Sequence, residues 1–282
     1  MVATPIGNLQ DITLRALTCL KEADRIAAED TRSARALLSA YGIPGAGRLV
    51  SHHANSSPKA LDAVLSAVER GEKVALISEA GLPGFSDPGG ELIRAALARG
   101  LPVEVLPGAT AASTALVASG FLARRFSFAG FLPPKGTARA RELASLCANP
   151  DPSVVYESPR RLVELLDEIA RIAPTRPVCV ARELTKLHQE IVRGTAMELS
   201  LRFRQSPARG EVTVVLGPAE EAPEAPPRVL TEEEIHDARK RVEQRRADGM
   251  SLREATREVA GTLGMAPNAL YRALHGARER ER

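Results

Sequence analysis

Two hydrophobic periods alternate along the first 120 residues of the chain. Short apolar and β-branched runs predict strands at Arg25–Ala28, Arg48–Ser51, Lys73–Ser78 and Val103–Leu106, with Met1–Thr4 as part of one more. Stretches with helical spacing accompany them at Leu14–Glu22, Thr31–Tyr41, Pro58–Arg70, Gly90–Gly100 and Thr110–Gly120. Strand, loop and helix repeated five times predict an α/β domain over residues 1–120 with a parallel sheet. Ligands of such sheets bind at the carboxyl ends of the strands.

The pattern changes after residue 120. Strand-like pieces at Phe126–Gly130, Ser153–Tyr156, Val178–Ala181 and Glu211–Leu216, with one clear helix at Arg160–Arg171, predict a second α/β domain over 121–218 with a mixed sheet. A Pro/Glu/Ala-rich segment, 219–230, is typical of an extended linker. Residues 231–282 predict a helical module that starts at a Thr231–Glu234 capping box and resembles a helix-turn-helix.

Composition narrows the class of protein. Of 282 residues, 44% are hydrophobic, which is enough for a sizeable core, but no apolar run approaches the ~18 residues of a membrane span. The start of the chain lacks the pattern of a secretory signal, and three scattered cysteines without a Cys-x-x-Cys pair favour a reducing cytoplasm. The net charge of +3 is compatible with a nucleic-acid partner, whereas 3% aromatic residues argue against binding that depends on base stacking.

Two loops have an unusual amino-acid composition. The segment Ser78–Gly89 holds three Gly and two Pro, and it is longer than an ordinary turn, so it favours close backbone approach to a ligand. The segment Leu106–Ser113 turns on Pro-Gly into a helix start made of small residues, which suits either a ligand or tight helix–sheet packing. Neither a G-x-G-x-x-G nor a Walker A motif is present, and no His/Cys cluster indicates a metal.

Six further motifs stand in order along residues 1–217, after the opening Val2-Ala3-Thr4-Pro5-Ile6-Gly7-Asn8-Leu9. They are Ala28-Glu29-Asp30-Thr31-Arg32, the Ser78–Gly89 loop, Pro107-Gly108, Gly130-Phe131-Leu132-Pro133, Tyr156-Glu157-Ser158-Pro159-Arg160-Arg161-Leu162 and Arg182-Glu183-Leu184-Thr185-Lys186. Together they resemble the ribosomal RNA small-subunit methyltransferase I family, within the tetrapyrrole methylase superfamily. The sequence departs from the family at Glu79 and Leu82, where relatives usually have Asp and Thr, and around Ser51–Asn55.

The resemblance implies a bacterial cytoplasmic enzyme of two α/β domains that forms a homodimer. It also implies that the enzyme methylates the ribose 2′-oxygen of a cytidine in the decoding region of small-subunit RNA, free or in the 30S subunit, with S-adenosylmethionine as the cofactor. Carried over position by position, it implies a cofactor site at the following residues and no metal: Pro5, Gly81, Leu82, Pro83, Ala111, Ser113, Phe131, Leu132 and Leu184.

A ribose hydroxyl is weakly acidic, so its methylation needs a base or nearby positive charge. The candidates for polarising the hydroxyl or seating phosphates are Asp30, Arg32, Lys135, Glu157 and Lys186. Two of these candidates have structural alternatives, since Asp30 could cap a helix and Lys135 could be a solvated loop tip. The Arg160-Arg161 pair, at a helix start, could bind an anion such as a phosphate or form surface salt bridges. His52 and His53 suit either the substrate side or a dimer seam.

Two other interpretations remain open at this point. Within the same fold, the substrate could be a corrin, a porphyrin or a protein of the diphthine type. From another class, the chain could be a nucleic-acid-binding regulator that acts through 231–282 alone, a segment that could equally be a helical hairpin packed on the body.

Overall fold

The computed structural model describes residues 1–53, 56–87, 89–121, 124–219, 230–263, 265 and 267–275. Contacts divide the chain into two compact units, Met1–Ala219 and Glu220–Arg282. The predicted linker lies almost wholly outside the described residues. Within the described residues, no helix has both the length and the apolar composition that crossing a bilayer requires.

The first half of the larger unit is built on a parallel three-stranded sheet in the order β2-β1-β3. Its strands are β1 (Arg25–Ala28), β2 (Leu49–Ser51) and β3 (Val74–Ile77), and its helices are α1 (Leu14–Glu22), α2 (Thr31–Ala40), α3 (Pro58–Glu69), α4 (Gly89–Ala98) and α5 (Ala111–Ser119). Ile26 and Ala28 face the core formed with α1 and α2, whereas Ala27 faces α3 and α4. Alternate side chains of one strand thus serve the two faces of the sheet, as expected when helices cover both.

The prediction of five parallel strands in this half is wrong in its count. Met1–Thr4 and Val103–Leu106 form only isolated bridges, one between Val2 and Leu106 and one between Thr4 and Gly81. The Val2 amide donates to the Leu76 carbonyl at 2.9 Å, so the opening segment lies beside β3 without a run of paired residues. Residues of β3 and of Val103–Leu106 also line a groove of about 710 Å³.

The second half carries a five-stranded mixed sheet in the order β4-β5-β8-β6-β7. Its strands are β4 (Ser127–Phe131), β5 (Ser153–Glu157), β6 (Pro177–Arg182), β7 (Glu190–Thr195) and β8 (Val212–Leu216), and its helices are α6 (Gly136–Ala148), α7 (Leu162–Ile172) and α8 (Ala196–Gln205). The strand β4 pairs in parallel with β5, and the other pairings are antiparallel. This confirms the predicted mixed sheet.

Different helices cover the two faces of the mixed sheet. Helices α6, α7 and α8 pack on one face, where Val155, Val180 and Val214 are fully buried. The other face, which presents Val154 and Val215, is covered by α5 from the first half of the unit. Because α5 crosses over in this way, its amino-terminal end lies where the two sheets meet.

The smaller unit has three described helices, α9 (Glu232–Ala247), α10 (Leu252–Thr262) and α11 (Pro267–His275). Capping boxes at Thr231–Glu234 and Ser251–Glu254 start the first two helices. An apolar core holds the three together, and its buried members are Leu230, Ala238, Val242, Ala255, Val259, Ala260, Leu270 and Leu274. The predicted helical module is confirmed, with α10 and α11 in helix-turn-helix succession.

Candidate active site

A cleft of about 350 Å³ opens at the carboxyl end of the first sheet, facing the mixed sheet. This volume falls in the usual range for small-molecule and cofactor pockets. Its walls come from both halves of the larger unit: Ile6, Glu29, Ser78, Glu79, Ala80, Gly81, Leu82, Phe85, Ser86, Asp87, Thr110, Ala111, Phe131, Tyr156, Glu157, Ser158, Pro159, Gly210, Glu211, Val212 and Thr213. The cleft therefore lies at the carboxyl ends of the parallel strands, where ligands of such sheets are expected to bind.

The loop after β3 forms one wall and is held by its own backbone. The amide of Gly81 donates to the Thr4 carbonyl at 3.1 Å, and the Thr4 amide donates back to the Gly81 carbonyl at 2.9 Å. Gly81 has φ +83°, a conformation that side-chain-bearing residues seldom adopt. The Asp87 carboxylate accepts from the amides of Gly84 and Gly89, which closes the far end of the loop. The result is a fixed wall with little side-chain bulk at Gly81.

The start of α5 and an aromatic group form the opposite wall. The Tyr156 hydroxyl oxygen accepts a hydrogen bond from the Ala112 amide at 3.2 Å, which ties β5 to the first turn of α5. Tyr156 meets Phe128 at 5.0 Å and Phe131 at 5.5 Å, and the Phe85 ring of the loop after β3 stacks on Phe128 with centroids 4.4 Å apart, which joins the two walls. The wall therefore offers a flat apolar ring surface together with small side chains at the helix start.

A buried carboxylate anchors the floor of the cleft on the side of the mixed sheet. The Glu157 side chain is fully buried, and its Oε2 lies 3.2 Å from Arg139 Nη1, while its Oε1 lies 2.7 Å from Arg161 Nη2. The Ser158 amide also donates to Oε1 at 2.7 Å. Arg139 Nε donates in turn to Glu168 at 2.9 Å. With two arginines and an amide bound to it, the Glu157 side chain is fixed in place and serves as an anchor.

A second group of carboxylates surrounds the carboxyl end of β1. Glu29, half-buried, follows the last residue of β1 directly, and Glu79 and Asp87 from the loop after β3 lie in the same cleft. Burial raises the pKa of the Glu29 carboxyl above its ordinary value, and the negative charges of Glu79 and Asp87 raise it further, whereas His53 lowers it. Among the described residues, no His, Cys, Asp or Glu side chains are grouped as a metal site requires.

Four of the nine residues expected to bind the cofactor line the cleft: Gly81, Leu82, Ala111 and Phe131. The other five do not line it. Four of these are buried, namely Pro5, Pro83, Leu132 and Leu184. Ser113 is exposed on the first turn of α5, where its hydroxyl contacts that of the cap residue Thr110. The structure thus gathers the loop after β3, the start of α5 and the end of β4 at one cleft.

The five polar candidates are spread more widely, and only Glu157 lines the cleft. Asp30 caps α2 by accepting from the Arg32 amide at 2.7 Å, and the Arg32 side chain is 89% exposed. Lys135 is exposed at the start of α6. Lys186 Nζ is paired with Glu183 at 2.9 Å and with Glu211 at 3.2 Å. Most of these side chains therefore have structural roles or face solvent.

The two histidines after β2 have different surroundings. His52 is buried, at 3% exposure, and within the described part of the chain neither ring nitrogen has a hydrogen-bond partner. Burial lowers the pKa of its imidazole, which favours the neutral ring. His53 is exposed, and it lies near enough to Glu29 to lower the pKa of that carboxyl. Glu29 was not among the residues predicted from the sequence, although its place directly after a central strand is the signal that could have found it.

Comparisons with known proteins find relatives for most of the chain. The family model described as Tetrapyrrole (Corrin/Porphyrin) Methylases matches residues 1–200. A protein named Ribosomal RNA small subunit methyltransferase I from Halalkalibacterium halodurans is 38% identical over 275 residues, covering 98% of this chain and 93% of the relative. A protein of the same name from Thermotoga maritima is 44% identical over 216 residues, covering 77% of this chain and 96% of the relative.

Solved structures share the fold at lower identity. A cobalt precorrin-4 methyltransferase superposes with a TM-score of 0.60 at 18% identity, covering 77% of this chain and 92% of its own. A uroporphyrin-III C-methyl transferase from Thermus thermophilus, complexed with S-adenosylhomocysteine, superposes with a TM-score of 0.54 at 23% identity, covering 77% and 95%. These likenesses confirm the predicted tetrapyrrole methylase fold of the larger unit.

Proposed function

Because this chain belongs to the tetrapyrrole methylase family, and within it to the ribosomal RNA small subunit methyltransferase I family, we propose that it transfers a methyl group from S-adenosylmethionine to small-subunit ribosomal RNA. The acceptor is the ribose 2′-oxygen of a cytidine in the decoding region. The observation that carries the proposal is the cleft: its volume suits a cofactor, and it lies between the two sheets, where the Gly81 loop and α5 meet.

The residues of the cleft fit S-adenosylmethionine. A sulfonium carries one positive charge, and the ring faces of Phe131 and Tyr156 attract such a charge. The open backbone at Gly81 and the small side chain of Ala111 leave room for a flat base and a ribose. The chain lacks the glycine-rich phosphate cradles of dinucleotide and P-loop sites, and this cofactor has no phosphate to be held.

The chemistry that the cofactor supplies is an electrophilic methyl group on sulfur. The protein must hold the acceptor oxygen in line with that group, and orientation alone is worth about 7–11 kcal/mol in favourable cases. The bridge between Thr4 and Gly81 and the Tyr156–Ala112 hydrogen bond fix the two walls against which the reactants are placed. Glu157 contributes by orienting β5 through its arginine partners, since its oxygens are already bound.

The proposal is tested by methyl transfer from radiolabelled S-adenosylmethionine to 30S subunits and to free small-subunit RNA, followed by digestion to nucleosides and mass spectrometry. We expect label in a 2′-O-methylcytidine that maps to the decoding region. Label on a base would refute the ribose assignment. No transfer to either RNA, with transfer to a corrin or porphyrin acceptor, would favour the small-molecule substrates instead.

The smaller unit is proposed to contact RNA phosphates. Exposed arginines and lysines are frequent on α9 and α10, and part of them are held by ion pairs, such as Arg241 with Asp237 at 2.8 Å and Arg245 with Glu258 at 2.9 Å. The side chains of Lys240, Arg246 and Arg253 have no such partner among the described residues and remain available to an anion.

Deletion of residues 231–282 is expected to leave S-adenosylmethionine affinity unchanged and to weaken RNA binding. The salt dependence of log affinity should flatten by about 0.7 to 0.9 for each phosphate that the deleted unit neutralises in the full chain. Filter binding over a salt series and calorimetric titration of the cofactor measure the two quantities. Unchanged RNA affinity at every salt concentration, with a lowered melting temperature, would show instead that the unit only stabilises the protein.

We also propose that the enzyme works as a cytoplasmic homodimer. Val117 on α5 is 69% exposed, and such an apolar side chain on the outer side of a helix suits a twofold contact. Analytical ultracentrifugation at micromolar protein should show a species of twice the 30.1 kDa chain mass. The variant Val117→Glu should shift the equilibrium toward the monomer, and a wild-type protein that sediments only as a monomer would contradict the proposal.

A further inference from the structure

Five carboxylates of the described residues line the cleft, and three of them have hydrogen-bond or ion-pair partners. Asp87 accepts from two loop amides, Glu157 is bound by two arginines, and Glu211 is paired with Lys186. The remaining two, Glu29 and Glu79, form no hydrogen bond or ion pair with any other described residue. Glu79 is exposed, so Glu29 is the half-buried carboxylate of the cleft whose side chain has no partner among the described residues.

The backbone fixes where Glu29 stands. It follows Ala28, the last paired residue of β1, and β1 is the central strand of its sheet, paired with β2 and with β3 on either side. Ala28 pairs with Ser51 of β2 and with Ile77 of β3, so Glu29 leaves the sheet at the same level as His52 and Ser78. Because Ala28 is held from both sides, the position of the next residue is also fixed, and Glu29 lines the cleft.

We propose that Glu29 is the general base of the reaction and removes the proton from the ribose hydroxyl as its oxygen attacks the methyl carbon. This assignment rests on the proposed ribose methylation. In the step, the O–C bond forms, the C–S bond breaks with its electron pair passing to the sulfur, and the hydroxyl proton passes to a Glu29 oxygen. The products are the 2′-O-methyl ribose, a neutral thioether and a protonated Glu29, so charge and atoms balance.

The surroundings of Glu29 suit this role. Burial and the like charges of Glu79 and Asp87 favour its protonated form, and His53 alone acts in the opposite direction. A carboxylate with a raised pKa is a stronger base than a solvated one, and catalytic bases are most effective when their pKa approaches the working pH. The oxygens of Asp87, Glu157 and Glu211 are already engaged by amides, arginines or a lysine, whereas those of Glu29 have no such partner among the described residues.

The rate at saturating cofactor and RNA should therefore rise with pH and reach a plateau once Glu29 is deprotonated, above the ordinary range of a glutamate. Glu29→Gln keeps the shape of the side chain but cannot accept the proton, so kcat should fall by about 10²- to 10⁴-fold and the acid limb of the pH profile should vanish. The Glu29→Asp variant keeps a carboxylate on a shorter side chain and should retain part of the activity with the limb present.

A second variant tests the mechanism without altering Glu29. Glu79→Gln removes a like charge that raises the pKa of Glu29, so the acid limb of kcat should move to lower pH. The matched control is Glu164→Gln, which changes a carboxylate in the first turn of α7, outside the cleft, and should leave both kcat and the pH profile as in the wild type. Calorimetric titration of S-adenosylmethionine into each variant shows whether the cofactor site is intact.

The outcomes separate this inference from the proposed function. If wild-type enzyme yields 2′-O-methylcytidine but Glu29→Gln keeps kcat within about threefold, or keeps the acid limb, Glu29 is not the base. An unmoved limb in Glu79→Gln would also overturn the inference. If the wild type places the methyl on a base, both the ribose assignment and the role of Glu29 fail together.

Discussion

The variant Gly81→Val should lose S-adenosylmethionine affinity by about 100-fold or more, because it adds a side chain on a strained backbone at the wall of the cleft proposed to hold the cofactor. Gly81 has φ +83°, and a Cβ built there would lie 3.3 Å from the Ala109 carbonyl oxygen and 3.4 Å from Ile6 Cγ2. Ile6 itself lines the cleft and Ala109 lies just before Ala111 of its wall, so a valine at this position crowds the cleft. Calorimetric titration with S-adenosylmethionine measures the effect directly.

The control for this variant is Gly71→Val. Gly71 has φ +86°, so valine there meets a similar backbone penalty, but nothing lies within 4 Å of the added Cβ and the residue is outside the cleft. Gly71→Val should therefore lower the melting temperature to a similar extent while keeping cofactor affinity. If Gly81→Val bound the cofactor as tightly as the wild type does, the cofactor would have to lie elsewhere in the fold.

Replacing Arg139 by methionine should lower the free energy of unfolding by about 3–5 kcal/mol, the usual cost of removing one partner from a buried ion pair. The side chain of Arg139 is 2% exposed and that of its partner Glu157 is fully buried. Methionine fills a similar volume, but it leaves Glu157 with Arg161 as its remaining cation and deprives Glu168 of its salt bridge. The midpoint of urea unfolding, followed by circular dichroism, measures the loss.

Arg141→Met is the matched comparison, since Arg141 lies on the same helix and is exposed. Its effect should stay within about 0.5 kcal/mol, as for most surface substitutions. Equal stability of the two variants would mean that the buried network contributes no more than a surface arginine does.

The accuracy of the sequence predictions followed the clarity of each hydrophobic pattern. Helix α1 was predicted to the residue, because Thr13 caps it and its apolar positions repeat at helical spacing. Strand β7 was missed, because it is the edge strand of the mixed sheet and every residue in it is only partly buried or exposed. Helix α8 was also missed, although the capping box of Thr195 and Glu198 marks its start in the sequence.

The candidate site shows a different limit. The Gly81 loop was predicted because glycine and proline mark a special backbone in the sequence itself. The roles of charged residues depend instead on partners that are distant along the chain: Glu157 is fixed by Arg139, 18 residues away, and Lys186 by Glu211, 25 residues away. Glu29 can be recognised only when the partners of the other carboxylates are known, because it differs from them in having no hydrogen-bond or ion-pair partner among the described residues.

The aromatic wall of the cleft makes the site visible by optical spectroscopy. The chain has three tyrosines and no tryptophan, so its intrinsic emission comes from tyrosine alone. Tyr156 is one of the three, and it lines the cleft, with its hydroxyl bound to the start of α5 and its ring against Phe128 and Phe131. A ligand that enters the cleft therefore changes the surroundings of about a third of the tyrosines in the protein. A tryptophan introduced by Phe131→Trp would report on the cleft through tryptophan emission to which no other residue of the chain contributes.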